Sequence, residues 1–292
     1  MGRLSGKTTI ITGAARGIGK AIALRYAEEG SNLALCDLNL TGVEGTAAEA
    51  REKGVKTLAM QADVIQRASV QAFVEAAVQQ FGTVDVLVNN AGVGMYERAS
   101  LSAAENDLHL ISTNVLSAVA MAQLVIPHMR AKGERSIANI SSVGAYVGLP
   151  WSAAYCASKS AFHSYAESLR KELRGSGIHV SIIVPGIVET EFRQHVLSGA
   201  APPGVVNIRR VVSPHDVASC VVRSIVRRKC RIFVPWYGRI FAALDFLLPD
   251  VMDAYIARKW SPDGAATASA GVTSLAASEV RSGHAARAKT TT

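Results

Sequence analysis

Short apolar runs rich in β-branched residues alternate with longer amphipathic stretches along most of the chain. Parallel strands need crossover connections, usually helices, so this alternation predicts a three-layer α/β fold with a parallel sheet between helices. The run Ile178–Val184 is apolar apart from Ser181, as expected for a strand covered on both faces. The predicted strands are Thr8–Thr12, Asn32–Asp37, Lys56–Gln61, Val84–Asn89, Ser136–Ser141 and Ile178–Val184. The predicted helices fall near 17–29, 41–53, 66–81, 103–131 and 152–174.

The pattern breaks down after residue 230. Residues 231–260 are rich in bulky apolar side chains, but charged residues and Pro249 interrupt them, so the segment is too broken for a transmembrane helix of about 20 apolar residues. After Ser261 the chain consists largely of Ala, Ser, Thr and Gly and has little to bury, which predicts disorder. We therefore expect one domain over 1–235, an apolar and basic extension over 236–260, and a disordered tail over 261–292.

The net charge of +8 is concentrated late in the chain. Residues 200–260 contain 10 Lys and Arg against 4 Asp and Glu, whereas residues 1–199 contain 18 against 17. A protein that binds nucleic acid usually spreads its basic residues along a groove or a recognisable motif. No such motif accompanies the late basic segment, so we expect no nucleic-acid partner.

Cysteine usage indicates a reducing compartment. The four cysteines, Cys36, Cys156, Cys220 and Cys230, form no CxxC pair, so neither a disulfide framework nor a metal site is expected. Residues 1–10 lead directly into a strand and lack the apolar stretch of a signal peptide. The expected location is cytoplasmic.

A glycine-rich turn follows the first strand and opens the first helix. Its three glycines allow the backbone to turn sharply and approach a pyrophosphate, while the helix N-terminus offers free N–H groups. An ordinary tight strand–helix loop is the alternative, but the position of the turn favours a dinucleotide site. The turn residues expected to contact the cofactor are Thr12, Gly13, Arg16, Gly17, Ile18 and Gly19.

Asp37, at the end of the second strand, bears on the choice of cofactor. Its carboxylate can accept hydrogen bonds from the adenosine ribose and would repel a 2′-phosphate, which favours NAD. Arg16 has the opposite effect, since a guanidinium can pair with that phosphate. We expect NAD, with NADP as the alternative. Asp63 and Val64 are expected to flank the adenine, although Asp63 could instead cap the following helix.

Tyr155 and Lys159 stand four residues apart, so on one helix they share a face. A free tyrosine has a pKa near 10 and is a poor base at neutral pH. A neighbouring ammonium, together with the positive nicotinamide ring, would stabilise the phenolate and lower the pKa of Tyr155. Such a pair is often only an exposed helical pair, so its interpretation depends on neighbouring motifs.

Three neighbouring motifs support a catalytic interpretation. Ser142 ends the fifth predicted strand and could hydrogen-bond a substrate oxygen; it could also cap a turn, and Ser141 competes for the same role. Asn89–Gly92 closes the fourth strand, where side-chain amides can brace the sheet beside the cofactor. Asn114 lies within a long predicted helix. It is either a buried polar residue whose hydrogen bonds are satisfied locally, or it holds a water that supplies protons to Lys159.

With these motifs in this order, the sequence resembles the short-chain dehydrogenase/reductase family over about residues 3–235. The resemblance implies a doubly wound Rossmann-type sheet of about seven strands, metal-free hydride transfer, and a homodimer or homotetramer. It also implies that Pro185-Gly186 borders the nicotinamide, that Thr190 binds its carboxamide, and that 191–212 forms a substrate lid. The remaining cofactor residues expected on this basis are Asn90, Ala91, Gly92, Tyr155, Lys159 and Val188.

The expected function is hydride transfer between a nicotinamide cofactor and a secondary alcohol or ketone. Tyr155 would act as general acid and base, Ser142 would position the substrate oxygen, Lys159 would hold the ribose, and Asn114 would support a water relay. The alternatives are an NADPH-dependent carbonyl reductase and a non-catalytic cofactor-binding regulator. The intact set of four residues disfavours the regulator.

The extension has three interpretations. Its apolar residues could pack on the domain or on a sister subunit. Together with the basic residues, the segment 223–260 could lie on an anionic membrane surface. It could also wall a substrate pocket, which would favour a bulky, apolar alcohol or ketone.

Overall fold

Seven parallel strands form the central sheet of the computed structural model, which describes residues 2–129, 133–200 and 211–260. The nine described strands are β1 Thr8–Thr12, β2 Asn32–Asp37, β3 Thr57–Gln61, β4 Val86–Asn89, β5 Gly94–Tyr96, β6 Arg135–Ile140, β7 Ile178–Pro185, β8 Val196–Gly199 and β9 Arg231–Val234. The central sheet has the order β3-β2-β1-β4-β6-β7-β9, and β5 pairs with β8 outside it. The predicted fold class and the strand number implied by the resemblance are confirmed.

Helices cover both faces of this sheet. Within the described ranges they are α1 Gly17–Glu28, α2 Leu40–Arg51, α3 Arg67–Phe81, α4 Ala104–Ile111, α5 Ser117–Met129, α6 Ala153–Glu172, α7 Pro214–Val226, α8 Gly238–Leu247 and α9 Pro249–Trp260. Successive strand residues point to opposite faces. Ile11 of β1 accordingly packs into a core with α1, α2 and α7, while Ile10 packs into a second core with α3, α5 and α6.

The long helix predicted over 103–131 is interrupted. Between α4 and α5, residues Ser112–Leu116 form a π-helical segment that contains Asn114. Such segments often occur at functional sites. The whole stretch Ala104–Met129 is long and apolar enough to span a membrane, but half of its most apolar window is buried inside the protein, as in a core helix. The predicted end of the helix, 130–131, lies outside the described residues.

Two elements late in the chain depart from the sequence prediction. The segment expected to break the pattern begins with β9, the edge strand of the sheet. This strand has four residues and starts at an exposed Arg231, so its alternation is too short to be recognised in the sequence. Helix α7, which completes one helical layer, also lies outside the predicted elements.

The extension forms two helices that pack on the domain. Met252, Ile256 and Trp260 of α9 are buried against Val147, in a cluster that also includes Phe241 of α8. Other bulky side chains are exposed, among them Trp236, Phe246 and Leu247. Packing on the domain therefore accounts for one side of the extension only. The tail predicted over 261–292 lies outside the described residues.

Arg228 and Lys229, two basic residues before the extension, lie near the amino ends of β6 and β7. Arg228 pairs with Glu134, which precedes β6, and the backbone carbonyl of Lys229 contacts His179 near the start of β7. Helix α8 instead follows the carboxyl end of β9. Strand β9 therefore lies between these two basic residues and α8, which itself carries Arg239.

Candidate active site

The site lies where the strand order reverses. From β1 the chain continues to β2 and β3 on one side and then crosses to β4 on the other, so the loops after β1 and β4 diverge. In doubly wound sheets ligands bind in the crevice at this point, beside the carboxyl ends of the strands.

The glycine-rich turn after β1 has a backbone that requires glycine. Gly13 and Gly17 have φ of 66° and 55°, in the left-handed region. A methyl group on Gly19 would collide with the carbonyl oxygen of Gly13 and would lie 2.6 Å from Nδ2 of Asn90. The turn is therefore closely packed against the end of β4.

Asn90 and Ala91, at the end of β4, hold this turn in place. Asn90 Nδ2 donates to the carbonyl oxygens of Thr12 and Gly13, both at 3.0 Å. The backbone N–H groups of Asn90 and Ala91 donate to Thr12 Oγ1 at 3.1 and 3.0 Å. These bonds join the two loops of the crevice into one unit.

Asp37 lies beside the same turn. Its Oδ2 accepts a hydrogen bond from the Ala15 N–H at 3.0 Å, and its Oδ1 accepts one from the Asn39 N–H at 3.0 Å. The carboxylate is partly exposed and Arg16 is exposed. Each carboxylate oxygen retains acceptor capacity, so Asp37 could brace the turn and still receive ribose hydroxyls.

Asp63 follows β3 and does not cap the next helix. Its Oδ1 accepts from the Ile65 N–H at 3.1 Å, and its own N–H donates to Ser69 Oγ at 3.1 Å. Helix α3 begins after Gln66, which is its N-cap residue. The capping alternative for Asp63 is therefore wrong. Val64, the next residue, is buried at the same strand end.

Asn114 joins three parts of the site. It is 1% exposed, and its Oδ1 accepts from the Val93 N–H at 2.8 Å. Its Nδ2 donates to the Val93 carbonyl at 3.0 Å and to Ser158 Oγ at 2.9 Å. Ser158, which the sequence reading missed, donates in turn to the Tyr155 carbonyl at 2.7 Å. The amide thus connects the segment after β4 to α6.

Lys159 is buried on α6 near the end of β6. Its Nζ donates to the Ile140 carbonyl at 3.3 Å and lies 5.5 Å from the centre of the Phe162 ring. Burial lowers the pKa of Lys159 from 10.5 to about 8. Gly92 lies between Lys159 and Asn114: a methyl group there would be 3.4 Å from Nζ and 3.0 Å from Asn114 Oδ1.

Tyr155 faces Ser142 and the lid. Burial raises the pKa of Tyr155, and a hydrogen bond with the Ser142 side chain lowers it. The sequence predicted that Lys159 and the nicotinamide ring together would lower this pKa; among the described residues, the contribution that lowers it comes from Ser142. Phe192, in the predicted lid, packs edge-on against the Tyr155 ring with centroids 6.0 Å apart.

Ser141 and Ser142 have different surroundings. Ser141 Oγ lies 3.4 Å from Nδ1 of His163, in a buried position on the far side of the strand end. Ser142 Oγ accepts from the Gly144 N–H at 3.1 Å and caps a short 3₁₀ turn, Val143–Ala145. Ser142 is therefore both a cap and the hydroxyl beside Tyr155, and Ser141 is directed elsewhere.

The loop after β7 reaches the glycine-rich turn. The Gly186 N–H donates to the Val234 carbonyl at 2.8 Å, which anchors the end of Pro185 to β9. Val188 forms an isolated bridge with Val212. Thr190 lies beside Gly17, since a methyl group on that glycine would be 3.4 Å from Thr190 Cγ2.

The lid is tied to the site through the small sheet. Strand β8 pairs in parallel with β5, which follows the Asn89–Gly92 run, and Ser198 Oγ donates to Glu97 at 2.7 Å. Tyr96 of β5 is half-buried, and burial raises its pKa. The sequence pattern had predicted neither strand. Residues 201–210 of the predicted lid lie outside the described residues.

A short-chain dehydrogenase family model matches residues 7–200. D-threitol dehydrogenase of Mycolicibacterium smegmatis is 34% identical over 223 residues, which cover 75% of this chain and 86% of that protein. Human 17-beta-hydroxysteroid dehydrogenase 13 is 30% identical over 259 residues, covering 87% of this chain and 83% of that protein.

The fold also matches solved structures. A short-chain dehydrogenase/reductase from Burkholderia phymatum, solved in complex with NAD, superimposes with a TM-score of 0.78 at 27% identity, covering 86% of this chain and 96% of that one. The family match, these relatives and the seven-stranded sheet agree with one another. The chain belongs to the short-chain dehydrogenase family.

Proposed function

We propose that this short-chain oxidoreductase interconverts a secondary alcohol and its ketone with NAD(P), using Tyr155 as general acid and base. The observation that supports the proposal most is the position of Ser142 beside Tyr155, with Lys159 next to Gly92 in the segment whose Asn90 and Ala91 hydrogen-bond the glycine-rich turn. The Ser142 side chain lowers the pKa of Tyr155, and Lys159 lies across Gly92 from Asn114.

The crevice fits a dinucleotide. The turn at Gly13 and Gly19 has no room for a side chain, so its backbone can approach a pyrophosphate at the start of α1. Asp37 has free acceptor capacity for the ribose hydroxyls, whereas the strand end at Asp63 and Val64 would flank the adenine. Asn90, Ala91, Gly92, Gly186 and Thr190 would line the nicotinamide half. When bound, the nicotinamide ring supplies the hydride acceptor or donor.

The proton moves between the substrate and Tyr155. In the oxidising direction the Tyr155 phenolate would take the hydroxyl proton of the alcohol, and a bound nicotinamide would accept the hydride from the carbinol carbon. Ser142 donates to the substrate oxygen and fixes its distance from the phenolate. Placement of this kind converts a bimolecular reaction into one between held groups.

Lys159 supplies positive charge without exposure to water. With a pKa of about 8 its amine is mostly protonated at pH 7. An ammonium in a buried site acts through a low dielectric and therefore stabilises a nearby phenolate more than it would in water. Asn114 Oδ1 accepts a single described hydrogen bond and has a second lone pair, which suits the water relay predicted from the sequence.

Asp37 supports NAD as the preferred cofactor. Its carboxylate is held against the turn by the Ala15 N–H, so it cannot move away from a 2′-phosphate without losing that bond. Arg16 is exposed and free to swing towards such a phosphate. NADP use, and with it an NADPH-dependent carbonyl reductase, is the alternative.

The extension supports a bulky, apolar substrate. The apolar cluster formed by α8 and α9 includes Val143, Val147 and Leu149, which belong to the loop that begins at Ser142. The relatives named above act on a polyol and, by name, on a steroid, so family membership leaves substrate polarity open. An apolar wall next to Ser142 favours the latter kind of compound.

A screen of secondary alcohols and ketones tests the proposal. Turnover would be followed at the absorbance band of reduced nicotinamide, with NAD and NADP at equal concentration. Oxidation of apolar secondary alcohols, faster with NAD, is the expected result. Cofactor binding without turnover of any compound would instead favour the non-catalytic regulator. The homodimer or homotetramer, the cytoplasmic location and contact with a membrane stay proposals that this screen does not address.

A further inference from the structure

A hydrogen-bonded cluster lies next to the active site, one turn farther along the same face of α6. His163 follows Lys159 by one helical turn and is 8% exposed. Its Nε2 lies 2.8 Å from the Tyr146 hydroxyl, and its Nδ1 lies 3.4 Å from Ser141 Oγ. Both ring nitrogens therefore face hydroxyl groups of a single loop.

That loop carries Ser142. It runs from Ser141, at the end of β6, through the 3₁₀ turn to Tyr146, so the two hydroxyls bonded to His163 flank Ser142 on either side. Ser160 of the same helix also donates to the Ala145 carbonyl at 3.0 Å. Helix α6 thus holds the loop at three points, and α6 also presents Tyr155 to the crevice.

Burial and a nearby positive charge keep the His163 ring neutral. Burial and, second, the nearby Arg231 lower the pKa of His163 to about 4. Glu167 lies 3.6 Å from Nε2, but it also pairs with Arg231, whose guanidinium lies over the Tyr146 ring. A neutral imidazole has one donor and one acceptor, and the two hydroxyls can satisfy both in either tautomer.

We propose that His163 is a positioning residue: by bonding both flanks of the Ser142 loop, it fixes the distance between Ser142 and Tyr155. This role rests on the proposed function. A lost contact at either flank would let the 3₁₀ turn shift, and Ser142 would no longer hold its hydrogen bond to Tyr155. Cofactor binding should be unaffected, because in the part of the chain that the structure describes no hydrogen bond or ion pair joins this cluster to the glycine-rich turn.

Two variants test the role. His163→Phe removes both bonds at similar volume, and Tyr146→Phe removes one hydroxyl while keeping the ring packed against Phe233. With 4-phenyl-2-butanol and NAD, each should lower kcat about tenfold with the KM for NAD unchanged. The kcat is expected to rise with pH as Tyr155 loses its proton. Each variant should shift this rise to higher pH, since Ser142 lowers the pKa of Tyr155. His128→Phe, at the exposed distal end of α5, is the matched control and should behave as the wild type.

A double-mutant cycle separates positioning from general destabilisation. If His163 acts through Ser142, then His163→Phe should cause no further loss of kcat in a Ser142→Ala background. Hydrogen exchange of the peptide over 141–149 should increase in both variants. The positioning role would be refuted if His163→Phe lowered kcat equally in the wild-type and Ser142→Ala backgrounds, or if the pH profile of kcat were unchanged. Either result would leave the proposed function intact. Absence of wild-type turnover with this alcohol and with every other compound in the screen would refute both.

Discussion

Replacing the buried Lys159 with methionine should stabilise the protein while it abolishes turnover. The lowering of its pKa from 10.5 to about 8 corresponds to about 3 kcal/mol of unfavourable burial for the ammonium. Methionine avoids that cost but leaves the Ile140 carbonyl without its partner, a loss of about 1 kcal/mol. The net gain should be about 2 kcal/mol at pH 7, or a rise in Tm of about 4–8 °C for a domain of this size.

The stability that Lys159→Met gains over the wild type should decrease as the pH rises. Between pH 8 and 10.5 the unfolded chain binds a proton at this lysine that the folded protein has released, so wild-type stability rises with pH there. The methionine variant lacks this rise. Its advantage should therefore be full below pH 8 and should disappear as the pH approaches 10.5.

Urea unfolding followed by circular dichroism, without cofactor and at several pH values, measures the difference. Lys171→Met, at an exposed position of the same helix, is the matched control and should show no such pH-dependent advantage. A Lys159→Met protein that is less stable than the wild type at pH 7, or a difference that stays constant up to pH 10.5, would refute the reasoning about this buried charge.

Three other substitutions test the contacts of Asn114, Gly19 and Asp37. Asn114→Ala should cost about 2–4 kcal/mol in urea unfolding, because three buried hydrogen bonds are lost; a loss under about 1 kcal/mol would contradict the contacts described for its amide. Gly19→Val should abolish NADH binding measured by fluorescence, since its side chain would meet Gly13 and Asn90; retained binding would remove the turn from the cofactor site. Asp37→Ser should raise kcat/KM with NADP relative to NAD by at least about tenfold, and an unchanged ratio would show that Asp37 does not select the cofactor.

The sequence predicted the part of the fold whose signals are long and regular. Six of the seven strands of the sheet were located to within two residues, because each has a run of β-branched or apolar residues between helical stretches. The glycine-rich turn and the Tyr155–Lys159 spacing were recognisable since each needs particular residue types at a fixed separation. The edge strand β9 and the pair β5–β8 have only three or four residues each, so no periodicity could mark them.

Contacts between residues that are far apart along the chain could not be predicted from the sequence pattern. The choice between Ser141 and Ser142 depends on His163, which is 22 residues from Ser141 along the chain. Phe192, in the predicted lid, contacts Tyr155 although the two residues are 37 positions apart. The packing of Met252, Ile256 and Trp260 against Val147 likewise joins residues more than 100 positions apart.

Turnover by a Tyr155→Phe variant tests the central proposal most directly. The substitution removes one oxygen and keeps the ring beside Phe192, so NADH binding should be nearly unchanged. The proposal predicts that oxidation of any alcohol accepted by the wild-type protein falls to background in this variant. Turnover within a few-fold of the wild type would contradict a catalytic role for the Tyr155 hydroxyl.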